Sequence, residues 1–468
     1  MADTSWAEEL TQYPGPKYLA LSRALREAIR TGRLPPGAQL PTVRDLAWAL
    51  KITPGTVGRA YQIATQEGLL AATVGRGTFV AAAAPRLGPT QSLALDRDPA
   101  RVAGKADLRS PRLPDVGQGE ALAAALAGPA GTNRPADWID YPAQGAEAPL
   151  RAALAGWLEG RELGPVAGDD IMVTLGGQNA ISLVFQCVLR GDRPAVLIED
   201  LAYPGFRHAA RLARAEVHAI ETDQHGLRPD ALAAACRRHP AQVLCLTPEA
   251  QNPTTVAMPQ ERRAEIVAIA RAADLQVIED DCYSPALCET PAIRALAPER
   301  TWHVGSLSKT VSAALRLGWA VCPAGMGHTG RLTAQHSFFA LPRPISDLAL
   351  TLIGSGAAER LRGAVAQVYA DQLQGVVNHL GAFDLHWQPG LPFLWLRLPS
   401  GWRASTFTRM AEAEGVLLRS ADEFALVGGR APNAVRLALN GQLSRAETEA
   451  ACARLADLLR RPPADMAM

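Results

Sequence analysis

Four short apolar runs, "AVLIED" (195–200), "VLCLTP" (243–248), "LQVIEDD" (275–281) and "TWHVGSLS" (301–308), set the tightest limit on what this chain can fold into. Each is the length of one strand and is apolar almost to its C-terminal end, so neither face of such a strand suits water. Between them lie stretches with helical spacing, such as "GFRHAARLAR" and "PQERRAEIVAIARAAD". Strands of this kind alternating with helices predict an α/β unit with a mainly parallel central sheet covered on both faces. From about residue 365 the pattern becomes a smaller C-terminal α+β subdomain, and no internal repeat is found.

The first eighty residues follow a different rule. "KYLALSRALREAIRTGRL" places Leu21, Leu25 and Ile29 four apart, which predicts an amphipathic helix ended by the following "PPG". Thr42 with Asp45 three residues later is a capping signature, and Val43, Leu46, Ala47 and Leu50 give a second helix its apolar face. Thr53 as N-cap and Pro54 at the first helical position start a third helix with Val57, Tyr61 and Ala64 inward. "AATVGRGTFVA" reads as a hairpin turning at Gly75-Arg76-Gly77. Helix, helix, tight turn, helix and hairpin make a winged helix-turn-helix, mostly α with a β wing. Its third helix would enter a major groove, with Arg44, Thr53, Thr56 and Arg59 on the exposed side and Arg76 at the wing tip.

Charge separates the two parts. The chain of 468 residues carries a formal charge of only +1, yet residues 14–81 hold nine Lys or Arg against three acids, 9 − 3 = +6. A basic head on a near-neutral body directs only the head to a polyanion. The seven cysteines include no CxxC pair and none beside a histidine at metal spacing, so neither a disulfide framework nor a metal site is expected. No stretch approaches the length of uncharged apolar sequence that spans a membrane, and the opening residues lack the basic and apolar regions of a signal peptide. A cytoplasmic protein without membrane partners is the expectation.

Lys309 is the pivot of the body. Ser306 and Ser308 precede it at the end of an apolar run, and Arg316 follows seven residues on. Two hydroxyls and a guanidinium suit a phosphate monoester, and cationic neighbours lower the pKa of a lysine that must form an imine. "TLGGQNAISLVF" places Gly176 and Gly177 at the start of a helix, where free amides favour phosphate. "VIEDDCY" ends a strand with Asp280 three residues before Tyr283, "PEAQNPTT" offers Asn252, and "EDLAYPGF" offers Tyr203. A carboxylate under a pyridine nitrogen, groups that hydrogen-bond a ring hydroxyl and an aromatic to stack on the ring are what pyridoxal 5'-phosphate requires.

Two resemblances follow from these residues. "GAQLPTVRDLAWALKITPGTVGRAYQIATQEGLLAATVGRGTFV" is similar throughout to the DNA-binding domain of GntR-family bacterial transcription factors. It departs at Thr42, where serine is usual, and at "ITPGTVG", where a serine and a second arginine are more usual. The ordered set in the body resembles fold type I, class I/II aminotransferases over roughly residues 110–460. That resemblance implies that Lys309 forms the internal aldimine with pyridoxal phosphate, that Asp280 pairs with the pyridine nitrogen, and that Asn252 and Tyr283 bind the ring oxygen. It also implies that Gly177, Gln178, Ser306, Ser308 and Arg316 hold the phosphate, that Tyr203 stacks on the ring, and that Arg436 in "NAVRLALN" grips an α-carboxylate. Tyr141 matches a tyrosine that reaches the neighbouring subunit's phosphate, which implies a homodimer.

The combination looks like the MocR subfamily of regulators. The expected organisation is a GntR-type head over 14–82, a linker over 83–108 and an aminotransferase-like body over 109–462. The function it implies is a transcriptional regulator that binds double-stranded operator DNA and senses pyridoxal phosphate or an amino acid or amine effector. The alternative is a working aminotransferase with a fused DNA-binding head, because no obvious catalytic group is missing.

Overall fold

The structure is a computed structural model. It describes residue 6 and residues 16–35, 37–66, 69–73, 77–81, 102–128, 139–143, 145–283, 290–426 and 431–461. The chain divides into two compact units, Met1–Leu95 and Asp96–Met468.

In the first unit α1 (Lys17–Arg30), α2 (Val43–Ala49) and α3 (Pro54–Gln66) precede the antiparallel pair β1 (Leu70–Thr73) and β2 (Gly77–Val80). Leu21, Leu25, Leu46, Val57, Ala60, Tyr61 and Ala64 form the core, as the helical spacing requires. The Thr42 hydroxyl accepts from the Asp45 amide at 3.2 Å and donates to the Asp45 carboxylate at 2.6 Å. Thr53 Oγ1 likewise accepts from the Thr56 amide at 3.3 Å, so each helix of the pair has its capping hydroxyl. Between them Lys51 takes φ 51°, the left-handed conformation that reverses the chain in so few residues. The Tyr61 hydroxyl donates to the Pro41 carbonyl at 2.9 Å, which fastens α3 to the start of α2.

The second unit opens with β3 (Ala106–Asp107), so the end of the span read as a linker to residue 108 is already structured. The sequence could not show this, because a two-residue strand has no periodicity and exists only through its partner. The main sheet has seven strands: β4 (Ile171–Thr174), β5 (Ala195–Glu199), β6 (Glu216–Ile220), β9 (Val243–Leu246), β10 (Gln276–Asp280), β11 (Thr301–Ser306) and β12 (Gly318–Val321). A short hairpin, β7 (Thr222–Asp223) and β8 (Gly226–Leu227), lies outside it. The order is β4-β12-β11-β10-β9-β5-β6, with β12 antiparallel to both neighbours and the ladders from β11 to β6 all parallel. Strands β4, β5, β9, β11 and β12 are buried along their whole length, which is why they are apolar on both faces.

The remaining strands are β13 (Leu385–His386), β14 (Phe393–Arg397), β15 (Val416–Leu417), β16 (Arg419–Ser420) and β17 (Ala434–Ala438). They form a four-stranded antiparallel sheet, β13-β14-β17-β16, while β15 pairs in parallel with β3. The long helices Ala357–Leu380 and Arg445–Arg460 close its core. Among the described residues no helix is long and apolar enough to cross a membrane.

Candidate functional site

Residues from five separate segments meet where the strands of the main sheet end, the usual place for ligands in an open α/β sheet. The turn after β4 opens the helix Gly177–Val188 from Gly176, whose φ of +92° suits only glycine. The first amides of that helix have no intrahelical partner, and its dipole favours an anion. Arg316 closes the other side: Nη2 donates to the Leu175 carbonyl at 3.1 Å and Nη1 lies 3.5 Å from Ser308 Oγ. Ser306 Oγ is 3.0 Å from Ser308 Oγ and accepts from the Ser308 amide at 3.1 Å. A Cβ on Gly176 would fall 2.6 Å from Arg316 Nη2, and one on Gly318 would fall 2.6 Å from the Gly176 carbonyl carbon. Strand β12 can therefore approach this turn only because Gly318 lacks a side chain, and the Arg316 guanidinium can lie against the turn because Gly176 lacks one. Gln178 departs from a side-chain phosphate ligand, since its Nε2 donates to the Gly205 carbonyl at 3.0 Å and only its amide is left for an anion.

Asp280 ends β10 half-buried, and its carboxyl accepts from the Cys282 amide at 3.0 Å. Burial pushes its pKa up, and among the described residues no side-chain cation is in salt-bridge contact with it. A protonated ring nitrogen would supply the missing charge. Lys309 ends the single 3-10 turn Leu307–Lys309 beyond β11, and its Nζ lies 5.6 Å from the centre of the Tyr283 ring. Tyr283 in turn meets Phe393 edge-on at 5.2 Å. Tyr203 begins the helix Pro204–Leu212, and burial raises its pKa, with Tyr283 and Asp280 adding to the shift. A lysine, an uncompensated carboxylate, a serine-arginine cradle and a helix N-terminus all fit pyridoxal phosphate.

Arg436 on β17 is 2% exposed. Its Nη1 donates to Asn252 Oδ1 at 2.8 Å and its Nη2 to the Arg109 carbonyl at 2.8 Å. Burial lowers its pKa to about 10, partly offset by Tyr283, so it remains a cation at neutral pH. Sequence reasoning named Asn252 and Arg436 separately and missed their bond. The Arg109 carbonyl holds the guanidinium from the other side.

Two buried polar groups behind the site carried no usable sequence signal. Asp281 accepts from Arg161 Nη1 at 2.7 Å and lies 3.0 Å from His303 Nε2, so His303 has a structural place. Glu199 closes β5, with Thr247 N, Thr247 Oγ1 and Gln251 Nε2 directed at Oε2 from 3.3, 3.3 and 3.4 Å. Thr247 Oγ1 also accepts from the Asn252 amide at 3.3 Å, so Glu199 supports Asn252 through one intermediary. Burial pushes the Glu199 pKa from 4.5 up to about 8. Between those values the unfolded chain has lost this proton and the folded chain keeps it. The stabilisation is complete below pH 4.5 and is lost as pH rises to about 8, by at most about 1.4 kcal/mol per pH unit. Glu199→Gln is expected to remove this component. Thermal unfolding should show the variant gaining on the wild type from pH 5 to pH 8, and a constant difference between the two would refute the assignment.

Tyr141 is 80% exposed and stacks on Phe339 at 5.3 Å, and no described contact joins it to the cradle of its own chain. In the first unit Arg44, Thr53 and Arg59 are exposed, Thr53 and Thr56 share a 2.9 Å hydrogen bond, and the Arg59 guanidinium lies 4.1 Å over the Tyr18 ring. Arg76 lies outside the described residues.

A winged helix-turn-helix joined in one polypeptide to a fold type I aminotransferase-like body is the class that fold and site define. The chain belongs to the aminotransferase class I and II family, which residues 117–455 match, and residues 17–80 match the gntR family of bacterial regulatory proteins. This is the MocR-type architecture. The chain is 28% identical over 448 residues to the uncharacterized HTH-type transcriptional regulator YdeF of Bacillus subtilis, covering 93% of this chain and 92% of that one. It is 29% identical over 377 residues to the HTH-type pyridoxine biosynthesis transcriptional regulator PdxR of Corynebacterium glutamicum, covering 77% and 78%. LysN, the α-aminoadipate aminotransferase of Thermus thermophilus, was solved with N-(5'-phosphopyridoxyl)-L-leucine. It superposes with a TM-score of 0.65 at 25% identity, covering 79% of this chain and 95% of that one.

Proposed function

We propose that the protein is a transcriptional regulator that binds operator DNA through its head and senses an amino compound through pyridoxal phosphate in its body. The observation that carries this reading is the coexistence, in one chain, of a capped winged helix and a site with Lys309, an uncompensated Asp280 and an anion cradle. In this reading the head spans residues 14–82 and the body, with β3 included, runs from 106 to 462. When bound, pyridoxal phosphate supplies an aldehyde that condenses reversibly with primary amines. Lys309 would hold it covalently, and its amine, when free, would be placed to accept or return a proton. Ser306, Ser308, Arg316 and the amides of Gly177 and Gln178 would hold the phosphate. Asp280 would keep the ring nitrogen protonated, Tyr283 and Asn252 would bind the ring oxygen, and Tyr203 would stack on the ring. Arg436 holds the effector's carboxylate, and Asn252 fixes the guanidinium for it.

The working form in this reading is a cytoplasmic homodimer, with Tyr141 completing the phosphate site of a second copy. Supporting it, Tyr141 and Phe339 are both exposed aromatics, and a cavity of about 270 Å³ beside them is lined by Glu147, Arg151, Arg331 and Phe339. An exposed apolar group of this kind marks a contact surface.

A ligand changes DNA affinity only by binding one conformational state better than another. Fluorescence anisotropy on the promoter region of the protein's own gene should therefore show binding that an amino compound shifts only in the cofactor-loaded protein. Absence of DNA binding in every state would defeat the proposal. Steady transamination at roughly 1 per second or faster would instead make the chain a working aminotransferase. Arg44→Ala with Arg59→Ala should lower DNA affinity for all sequences alike and reduce the slope of log K against log salt by about 1.8, the value for two lost phosphate contacts. An unchanged slope would remove these arginines from the interface.

A further inference from the structure

We propose that the effector carries a second acidic group and that Arg419 receives it while Arg436 holds the α-carboxylate. This deepens the sensing function above and rests on it. Strands β16 and β17 are antiparallel, and Arg419 and Arg436 are direct cross-strand partners. Side chains of such a pair leave the same face of the sheet as neighbours. Phe424 packs against both, with each guanidinium centred 4.7 Å from its ring. The aromatic face holds two like charges close together that would otherwise spread apart.

The two arginines differ in what the protein already gives them. Both Nη groups of Arg436 are engaged, by Asn252 and by the Arg109 carbonyl. Arg419 gives only Nε, to Glu423 Oε2 at 2.9 Å, and its two Nη groups have no hydrogen-bond partner among the described residues. The Arg419 side chain is 17% exposed, while that of Glu423 is 42% exposed and can turn into solvent. Arg419 also sits close enough to Tyr203 and Arg436 for its charge to act on both. Arg207 adds a third cation, spending two hydrogen bonds on the Glu423 and Ala425 carbonyls that anchor the segment bearing Phe424. Among the described residues the Glu423 carboxylate is the one ion-pair partner of Arg419, so the three guanidiniums leave positive charge beside the effector. A short dicarboxylic amino acid supplies two negative charges, and its second carboxylate meets the donor pair that Arg419 has left open.

Calorimetric titration of the cofactor-loaded, full-length protein with L-glutamate and L-glutamine tests this, because the two ligands differ only in the second charge. Glutamate is expected to bind at least about tenfold more tightly, the value of one partly exposed charge-assisted contact. Arg419→Gln should bring the ratio close to one, and Glu423→Gln should raise it by removing the competing carboxylate. Arg419→Lys keeps the charge without the planar fork and should retain only part of the preference. It also covers the case in which the glutamine variant fails to hold its cofactor, as judged by visible absorbance. A ratio at or below one in the wild type, a ratio unmoved by both Arg419 variants, or tighter binding of L-lysine than of L-glutamate overturns the inference while leaving amino-compound sensing intact. Failure of every amino compound to bind overturns both.

Discussion

Lys309→Ala is expected to purify without the visible absorbance of the cofactor-loaded wild type, and hydride reduction should leave no cofactor attached to its 303–316 peptide in a mass spectrum. The wild type should give one attached cofactor per chain. The side chain makes no hydrogen bond or ion pair among the described residues, and the turn that carries it is held by buried Leu307 and by the Ser306 hydroxyl. Removing the amine should therefore leave folding within about 0.5 kcal/mol of the wild type. The phosphate cradle survives, so residual binding persists, weaker by at least about a hundredfold, or 2.7 kcal/mol. DNA affinity should stay within a few-fold while the response to amino compounds disappears. A Lys309→Ala protein that still responds would separate sensing from this lysine altogether.

Arg436 is expected to give the second largest effect, and it divides into two parts. The planar guanidinium matches a carboxylate with two parallel donors, which a lysine cannot reproduce. Truncating one partner of a buried, hydrogen-bonded charge pair costs about 2–5 kcal/mol, so Arg436→Lys should weaken amino acid binding by about a hundredfold. An amine of the same length without a carboxylate should be affected far less. The ratio of the two affinities is the measurement, and equal losses for both would deny Arg436 its carboxylate. Arg436→Leu should also lower the melting temperature. It strands Asn252 Oδ1 and the Arg109 carbonyl, at about 1–3 kcal/mol for each buried group.

Much of the site was legible because its chemistry is written in short local stretches. The strand ends carrying Asp280 and Ser306, the glycine pair before a helix and the spacing from Lys309 to Arg316 all survive in one dimension. The capping pairs Thr42–Asp45 and Thr53–Thr56 were equally readable, because a cap depends on residues three apart. Less legible were features with a non-local cause. The side chain of Gln178 is taken by the Gly205 carbonyl, 27 residues away in sequence, which leaves only its amide for an anion. Ala106 and Asp107 looked like linker because their strand depends on Val416 and Leu417.

The sequence by itself determined the two-part plan, the fold class of each part and the identities of the groups that suit pyridoxal phosphate, since periodicity, capping and motif order are local properties. Only the tertiary structure decided how those groups are partnered. Arg436 meets Asn252 across 184 residues and Arg109 across 327, and Arg419 is placed beside Arg436 by the register of two strands. The Glu199 proton is likewise held by burial rather than by any neighbour in sequence. Burial and register arise only when distant segments pack, so no local pattern of residues could have specified them.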